Sequence, residues 1–249
     1  MKQTRKFQDL PIGDNYMFGS VMMENDNCRQ LLERVLEMPI SRVEVIKEKS
    51  MIYHPECKGV RLDVYAKDEK NTHYDVEMQL LKRDALPKRS RYYHSQMDME
   101  LLASGAKYEM LPNTYVIFIC DFDPFSDEKY RYCFQNICRE TGKELGDGAG
   151  TIFLSTRGKN PDEVSEELVS FLEFVRTGQD GNSEVFEDTY VTRLQNTIRQ
   201  IKENRGKERQ YMMWQDIIDD AKEEGRQDMR EPMVAMLKGM LSRFGTLPD

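Results

Sequence analysis

At 249 residues the chain can bury a sizeable core, as one domain with an appendage or as two small domains. Its composition is 39% hydrophobic and 32% charged and holds no apolar run of about 18 residues, so no transmembrane helix is indicated. A net charge of −8 argues against a general nucleic-acid coat protein, but it leaves room for a local basic strip.

The first residues are basic and lack the apolar stretch of a secretory signal. Residues 14–37 predict one helix or a broken pair. Asp14 is placed to cap it, and Phe18, Leu31, Leu32, Val35 and Leu36 form its apolar stripe; Pro39 ends it. "SRVEVIKEKSMIYHP" alternates as a first strand. "GVRLDVYAKDEKNTHYDVEMQLL" supplies a second and a third. A helix follows from Pro87, with Tyr92, Met99, Leu102 and Ala103 at helical spacing, Gly105 near its end and Pro112 beyond. "NTYVIFICDF", Asn113–Phe122, reads as a strand buried on both faces. Tyr130–Glu140 and Thr151–Thr156 are two further strands, with the turn-rich "TGKELGDGAG" between them. Helices are predicted from about Pro161 to Arg176 and from Val185 to about Asn204, joined by "TGQDGNS". The tail from Gly206 is helical and charged, with a break at Pro232 and a short amphipathic end, "MVAMLKGMLSRF". The order is α-β-β-β-α-β, then extra strands, then helices: an α/β domain with a helical C-terminal region.

The hairpin concentrates acids. Its even positions are apolar (Leu62, Val64, Ala66; Tyr74, Val76, Met78, Leu80), and its odd positions include Asp63, Asp75, Glu77 and Gln79. If Lys67 faces His73, Asp63 faces Glu77. If the register slides by two, Asp63 faces Asp75 and Glu77 is its diagonal neighbour. A slip of one would place apolar side chains against polar ones. In either even register Asp63 and Glu77 share a face, roughly 5–8 Å apart at Cβ. Solvent, a basic side chain such as Arg61 or Lys67, or a bound cation could offset that repulsion. Two carboxylates with a backbone carbonyl make an all-oxygen site suited to Mg2+ or Mn2+.

Directly after Gln79 comes the strongest local positive cluster: Lys82, Arg83, Lys88, Arg89 and Arg91, against Asp84 alone. Arg89 or Arg91 could position a phosphate, and Tyr93 and its aromatic neighbours could support a base or sugar. Arg89 and Gln96 are seven apart and share a helix face. The ordinary alternative is a solvated helix face with the tyrosines in the core.

These segments together resemble a known family. Asp63 and then Glu77-Met78-Gln79, on the second and third strands of an α-β-β-β-α-β order, look like the PD-(D/E)XK nuclease superfamily. "DNYMF", "RLDVYA", "YDVEMQ", "KRSRYYHSQMD" and "YVIFICDFDPF" narrow the likeness to its recombination-promoting nuclease and putative transposase branch, from about Asp14 to Ser155. The resemblance implies a restriction-endonuclease-like core with a mixed sheet, and a DNA endonuclease using a divalent metal. It implies Asp63 and Glu77 as metal ligands with the Met78 carbonyl as a third. Gln79 stands where the wider superfamily has a lysine and orients water through its amide. The Arg89, Arg91, Tyr93 and Gln96 helix becomes the rim contacting DNA, and Asp14 is the position at which some members carry a helix-one acid. Its other reading is an N-cap.

Other chemistry is weakly signalled. His54, Cys57, Cys133 and Cys138 fit no zinc spacing, and no phosphate-binding glycine loop occurs. Asp121 and Asp123 end a buried strand, where capping a turn is the common role. Five scattered cysteines without a CxxC suit free thiols in a reducing cytoplasm. The expected organisation is a nuclease-like domain over 1–158 and a helical region over 159–249. In the latter, the "MMWQDIIDDA" stripe suits packing on its own domain or pairing with a second copy as a homodimer.

Overall fold

The computed structural model describes residues 5–51, 60–82, 85–178, 186–216 and 219. The chain opens with the broken pair of helices, α1 Asn15–Met22 and α2 Asn25–Leu36. Asp14 caps α1: its carboxylate accepts the N–H groups of Tyr16 at 2.9 Å and Met17 at 3.4 Å. α2 stops at Glu37, which takes a left-handed conformation before Pro39. Leu31, Leu32 and Val35 are buried as the stripe requires, whereas Leu36 is only half-buried.

Three antiparallel strands follow: β1 Val43–Met51, β2 Val60–Asp68 and β3 His73–Gln79. Helix α3, Leu86–Leu101, then returns the chain so that β4, Thr114–Cys120, runs parallel to β3. β6, Ala149–Ser155, pairs parallel with β4, and β5, Arg131–Phe134, closes the edge antiparallel to β6. The six strands form one mixed sheet in the order β1-β2-β3-β4-β6-β5. β4 is central, and Val116 to Cys120 are buried on both faces, as its continuous apolar run predicts.

Two elements differ from expectation. The strand expected over Tyr130–Glu140 pairs regularly only to Phe134. Past it the chain runs on as an irregular arm, bridged at Ile137 and Glu144, because its aromatic and β-branched residues thin out after Phe134. On α3 the buried positions are Leu86, Ser90, Tyr93, Gln96 and Met97, not the expected stripe: Met99 is exposed and Tyr92 half-buried. Tyr93 lies on Phe118 of β4 with ring centroids 6.3 Å apart, and Phe118 is paired with Glu77, so α3 covers the face made by the odd-numbered residues of β3 and the even-numbered residues of β4. The acids of that face are therefore covered by a helix rather than solvated.

α4, Glu166–Thr177, begins later than Pro161. A single 3-10 turn occupies Pro161–Glu163, and the Ser165 hydroxyl caps the helix by accepting the Leu168 N–H at 3.2 Å. α4 buries Leu168, Phe171, Leu172 and Val175; α5, Thr189–Glu203, buries Tyr190, Val191 and Leu194. The Tyr190 hydroxyl donates to the Asn27 carbonyl at 2.8 Å, and Arg34 lies over the Tyr190 ring at 4.2 Å. These contacts tie the helices to α2, and the first compact unit is Met1–Ile201. The second is Lys202–Asp249, described over 202–216 and at 219, with a helix over 205–216 in which the Tyr211 and Trp214 rings stack at 6.3 Å. Most of the expected linker, part of the "MMWQDIIDDA" stripe, His54, Cys57 and the terminal amphipathic helix lie outside the described residues.

His94 on α3 joins the parallel strands. Its two ring nitrogens meet the Thr114 hydroxyl at 2.8 Å and the Thr151 hydroxyl at 3.1 Å. Burial lowers its pKa from the usual 6.5, so the unfolded chain takes up the proton more readily than the fold does. Its contribution to stability is present above about pH 6.5 and is lost as pH falls below it. The expected result in urea unfolding is an acid-side loss of stability that is shallower in His94→Gln than in wild type.

Candidate nuclease site

The β2–β3 ladder pairs Lys67 with His73, Tyr65 with Asp75 and Val64 with Val76. One step further the same register brings Asp63 to Glu77, the first of the two alignments that parity allows. There the ladder is closed by a side chain: the Asp63 N–H donates to Glu77 Oε1 at 3.1 Å. The Met78 N–H donates to Asp63 Oδ2 at 3.4 Å, and the Asn15 amide donates to both Asp63 oxygens, at 3.3 and 3.1 Å. The acids are buried: Asp63 is 7% exposed, Glu77 and Asp75 not at all.

Burial and then the neighbouring Asp63 push the Glu77 carboxyl up to about 8, against the pull of Arg89. Arg89, in the first turns of α3, donates from its guanidinium to Glu77 Oε2 and to the Tyr93 hydroxyl, and lies over the Tyr93 ring at 4.9 Å. It is the cation that offsets the repulsion of the paired acids. Asp75 feels that guanidinium only through space. Neither of its oxygens has a hydrogen-bond partner, and burial, then Glu77 and Asp63, raise its pKa well above the ordinary carboxylate value.

A cleft of about 300 Å3 opens beside the pair, lined among others by Asn15, Arg61, Asp63, Met78, Gln79 and Arg89. Gln79, 7% exposed, donates its amide to the Met78 carbonyl at 3.0 Å. A larger hollow of about 480 Å3 lies by the end of α2, but its Arg131 is spent on Glu37 at 2.9 Å and the Val35 carbonyl at 3.2 Å. The smaller cleft is the one with convergent chemistry. Among the described residues no three or more His, Cys, Asp or Glu side chains are grouped to hold a metal. At the cleft stand the Asp63 carboxylate and Met78, with the Glu77 carboxylate behind them.

The PD-(D/E)XK nuclease family transposases match the chain over residues 15–227. The chain belongs to that family. No curated protein and no solved structure matches it. The six-stranded mixed sheet with its α-β-β-β-α-β opening is the restriction-endonuclease-like fold of PD-(D/E)XK proteins.

The residues marked out by sequence separate in the fold. Asp63, Met78, Gln79 and Arg89 meet at the cleft, and Glu77 lies behind them under Arg89. Tyr93 is buried and supports Arg89. Arg91 is exposed and does not line the cleft: two residues along a helix turn it roughly 200° from Arg89. Gln96 keeps the face of Arg89 but stands about 10 Å further along the axis, where it is buried. Asp14 spends its carboxylate on the α1 cap, and it is the next residue, Asn15, that reaches Asp63. Asn15 was not singled out by sequence; its one sequence signal was adjacency to Asp14. Asp75 was visible by parity but had no role attached to it.

Among the described residues no helix is long and apolar enough to cross a membrane. Cys28, Cys120, Cys133 and Cys138 are free thiols.

Proposed function

We propose that the protein is a DNA endonuclease that hydrolyses phosphodiester bonds with a divalent metal, in recombination or the processing of mobile-element DNA. The observation that carries this reading is the burial of Asp63 and Glu77 side by side behind a cleft flanked by Arg61 and Arg89. The site fits a hard cation: its donors are oxygens, and Glu77 already draws a guanidinium to itself. The Asp63 and Glu77 carboxylates and the Met78 carbonyl would hold Mg2+ or Mn2+. When bound, such an ion activates water and stabilises charge on the phosphate.

The chain's own groups do the rest. Asn15 fixes the Asp63 carboxylate, and Gln79 fixes the Met78 carbonyl. A glutamine carries no charge, so Gln79 orients water through its amide oxygen and does not supply a cation. Arg61 and Arg89 hold the phosphate backbone at the rim. In a plasmid-nicking assay with Mg2+ or Mn2+, Asp63→Ala and Glu77→Ala are each expected to slow cleavage by more than about 100-fold, since the ion contributes several kcal/mol. Wild type that nicks no faster than Asp63→Ala defeats the reading.

A second reading, a nuclease fold that binds DNA or a protein partner without cutting, draws on two observations: Gln79 stands in the lysine position, and Arg89 already occupies Glu77. Calorimetric titration with Mn2+ separates the two. A degenerate module shows no metal binding that Asp63→Ala removes. A homodimer through the C-terminal helices is proposed on the apolar stripe of the tail alone.

A further inference from the structure

Three strands deliver their carboxyl ends to one edge. β3 ends at Gln79, β4 at Cys120 and β6 at Ser155, all in register and parallel. Ligands of parallel sheets gather off that edge. Neighbouring strands lie about 4.8 Å apart, so the end of β6 is roughly 10 Å from Gln79 across the sheet. That is the axial span of about three nucleotides of one DNA strand.

At the end of β6 stands Arg157, half exposed. Its turn is held on several sides. The Arg157 N–H donates to the Ser155 hydroxyl at 3.0 Å, Thr156 N–H to the Cys120 carbonyl at 3.0 Å, and Lys159 N–H to the Glu128 carbonyl at 2.7 Å. Gly158 packs so closely on Tyr130 that a Cβ would come within 2.4 Å of its ring and 2.5 Å of its backbone nitrogen. The side chain is aimed as well. Asp121, itself largely covered, accepts one guanidinium N–H at 3.1 Å and the Thr156 hydroxyl at 2.7 Å. The Asp121 N–H donates to the Gln79 carbonyl at 3.0 Å, which ties this assembly to the cleft residue. Asp123, by contrast, is spent on its own loop, accepting from the Phe125 and Glu128 N–H groups and the Tyr132 hydroxyl.

We propose that Arg157 is a further phosphate-binding residue, gripping the DNA backbone about three nucleotides from the phosphate at the cleft. The proposal rests on the nuclease reading for its substrate and adds the path of the strand: along the carboxyl edge, from β3 across β4 to β6. An arginine fork suits a phosphate because it can donate two parallel N–H bonds. One N–H stays with Asp121 as a pivot, and the rigid turn means little ordering is left to lose on binding.

The test is duplex binding by the full chain in EDTA, with a short fluorescent DNA titrated from about 50 to about 200 mM NaCl. Arg157→Gln is expected to flatten the slope of log affinity against log salt by about 0.9, the loss of one phosphate contact. Arg157→Lys is expected to restore most of the slope. Arg176→Gln, on α4 and paired with Glu173, is expected to keep the wild-type slope. An Arg157→Gln protein with the wild-type slope overturns the proposal, even if its melting temperature falls, because a structural ion pair would lose stability alone. So does an equal loss in Arg176→Gln. Wild type that neither binds duplex nor nicks plasmid defeats the endonuclease reading as well, which sets that failure apart from a failure of Arg157 alone.

Discussion

Replacing Arg89 by alanine is expected to destabilise the metal-free protein by about 3 kcal/mol at alkaline pH, because it strips a buried carboxylate of its cation. Glu77 is fully buried and Arg89 is 27% exposed, so solvent screens the pair weakly. The loss is expected to shrink toward acid pH. Glu77 has a raised pKa, so the fold binds its proton more tightly than the unfolded chain does. Stability from that proton is present below the unfolded value of 4.5 and is lost as pH rises through about 8. Without Arg89 the loss becomes deeper, since only the Asp63 N–H and Arg61 then pull Glu77 back toward ionisation. Urea unfolding of wild type, Arg89→Ala, Glu77→Gln and the double variant measures it. Glu77→Gln in the Arg89→Ala background is expected to recover most of the loss. A double variant no more stable than Arg89→Ala would show that Arg89 acts through its stacking on Tyr93 instead.

Asp75→Val is expected to have the opposite sign, stabilising the protein by about 1–3 kcal/mol. The wild-type carboxyl is fully buried with both oxygens unpartnered. It is flanked by Tyr65 on β2 and Val116 on β4, where a β-branched side chain suits the pleat. Urea midpoints test the stability. Nicking by the same variant shows what the wild-type residue is kept for: a stabler and slower enzyme would mean that Asp75 serves the acids beside it. A less stable Asp75→Val would mean that the carboxyl is satisfied in solution by a group such as water.

The meeting of Asp63 and Glu77 was legible because strands alternate with a period of two, and only even registers keep the apolar set together. The burial of that face was not. It depends on α3, whose mixed sequence offered Tyr92 and Met99 as the apolar stripe while Tyr93 and Met97 make the contact. A one- or two-residue shift on a helix turns it by 100° or 200°, and nothing local distinguishes the choices. For the same reason Arg89, Arg91 and Gln96 looked like one rim, yet only Arg89 reaches the cleft. Asn15 meets Asp63 across 48 residues, a contact that periodicity does not report. The packing of α4 and α5 was not legible for a similar reason: they follow a complete sheet in sequence, and a contact such as Tyr190 on Asn27 crosses 163 residues.

The hairpin joining β2 to β3 also orders events during folding. Its strands are linked by the tight Asp68–Thr72 turn, held by the Asp68 side chain accepting the N–H groups of Lys70 and Thr72 at 2.9 and 2.8 Å. Closing so short a loop costs little chain entropy, so Asp63 and Glu77 can come together early. Arg89 arrives only when α3 docks, and Arg157 only when β6 adds beyond β4. In the interval the acids stand together without their counterion. The nascent hairpin is thus the species most sensitive to added salt, and the rate of refolding should carry that sensitivity more than the rate of unfolding.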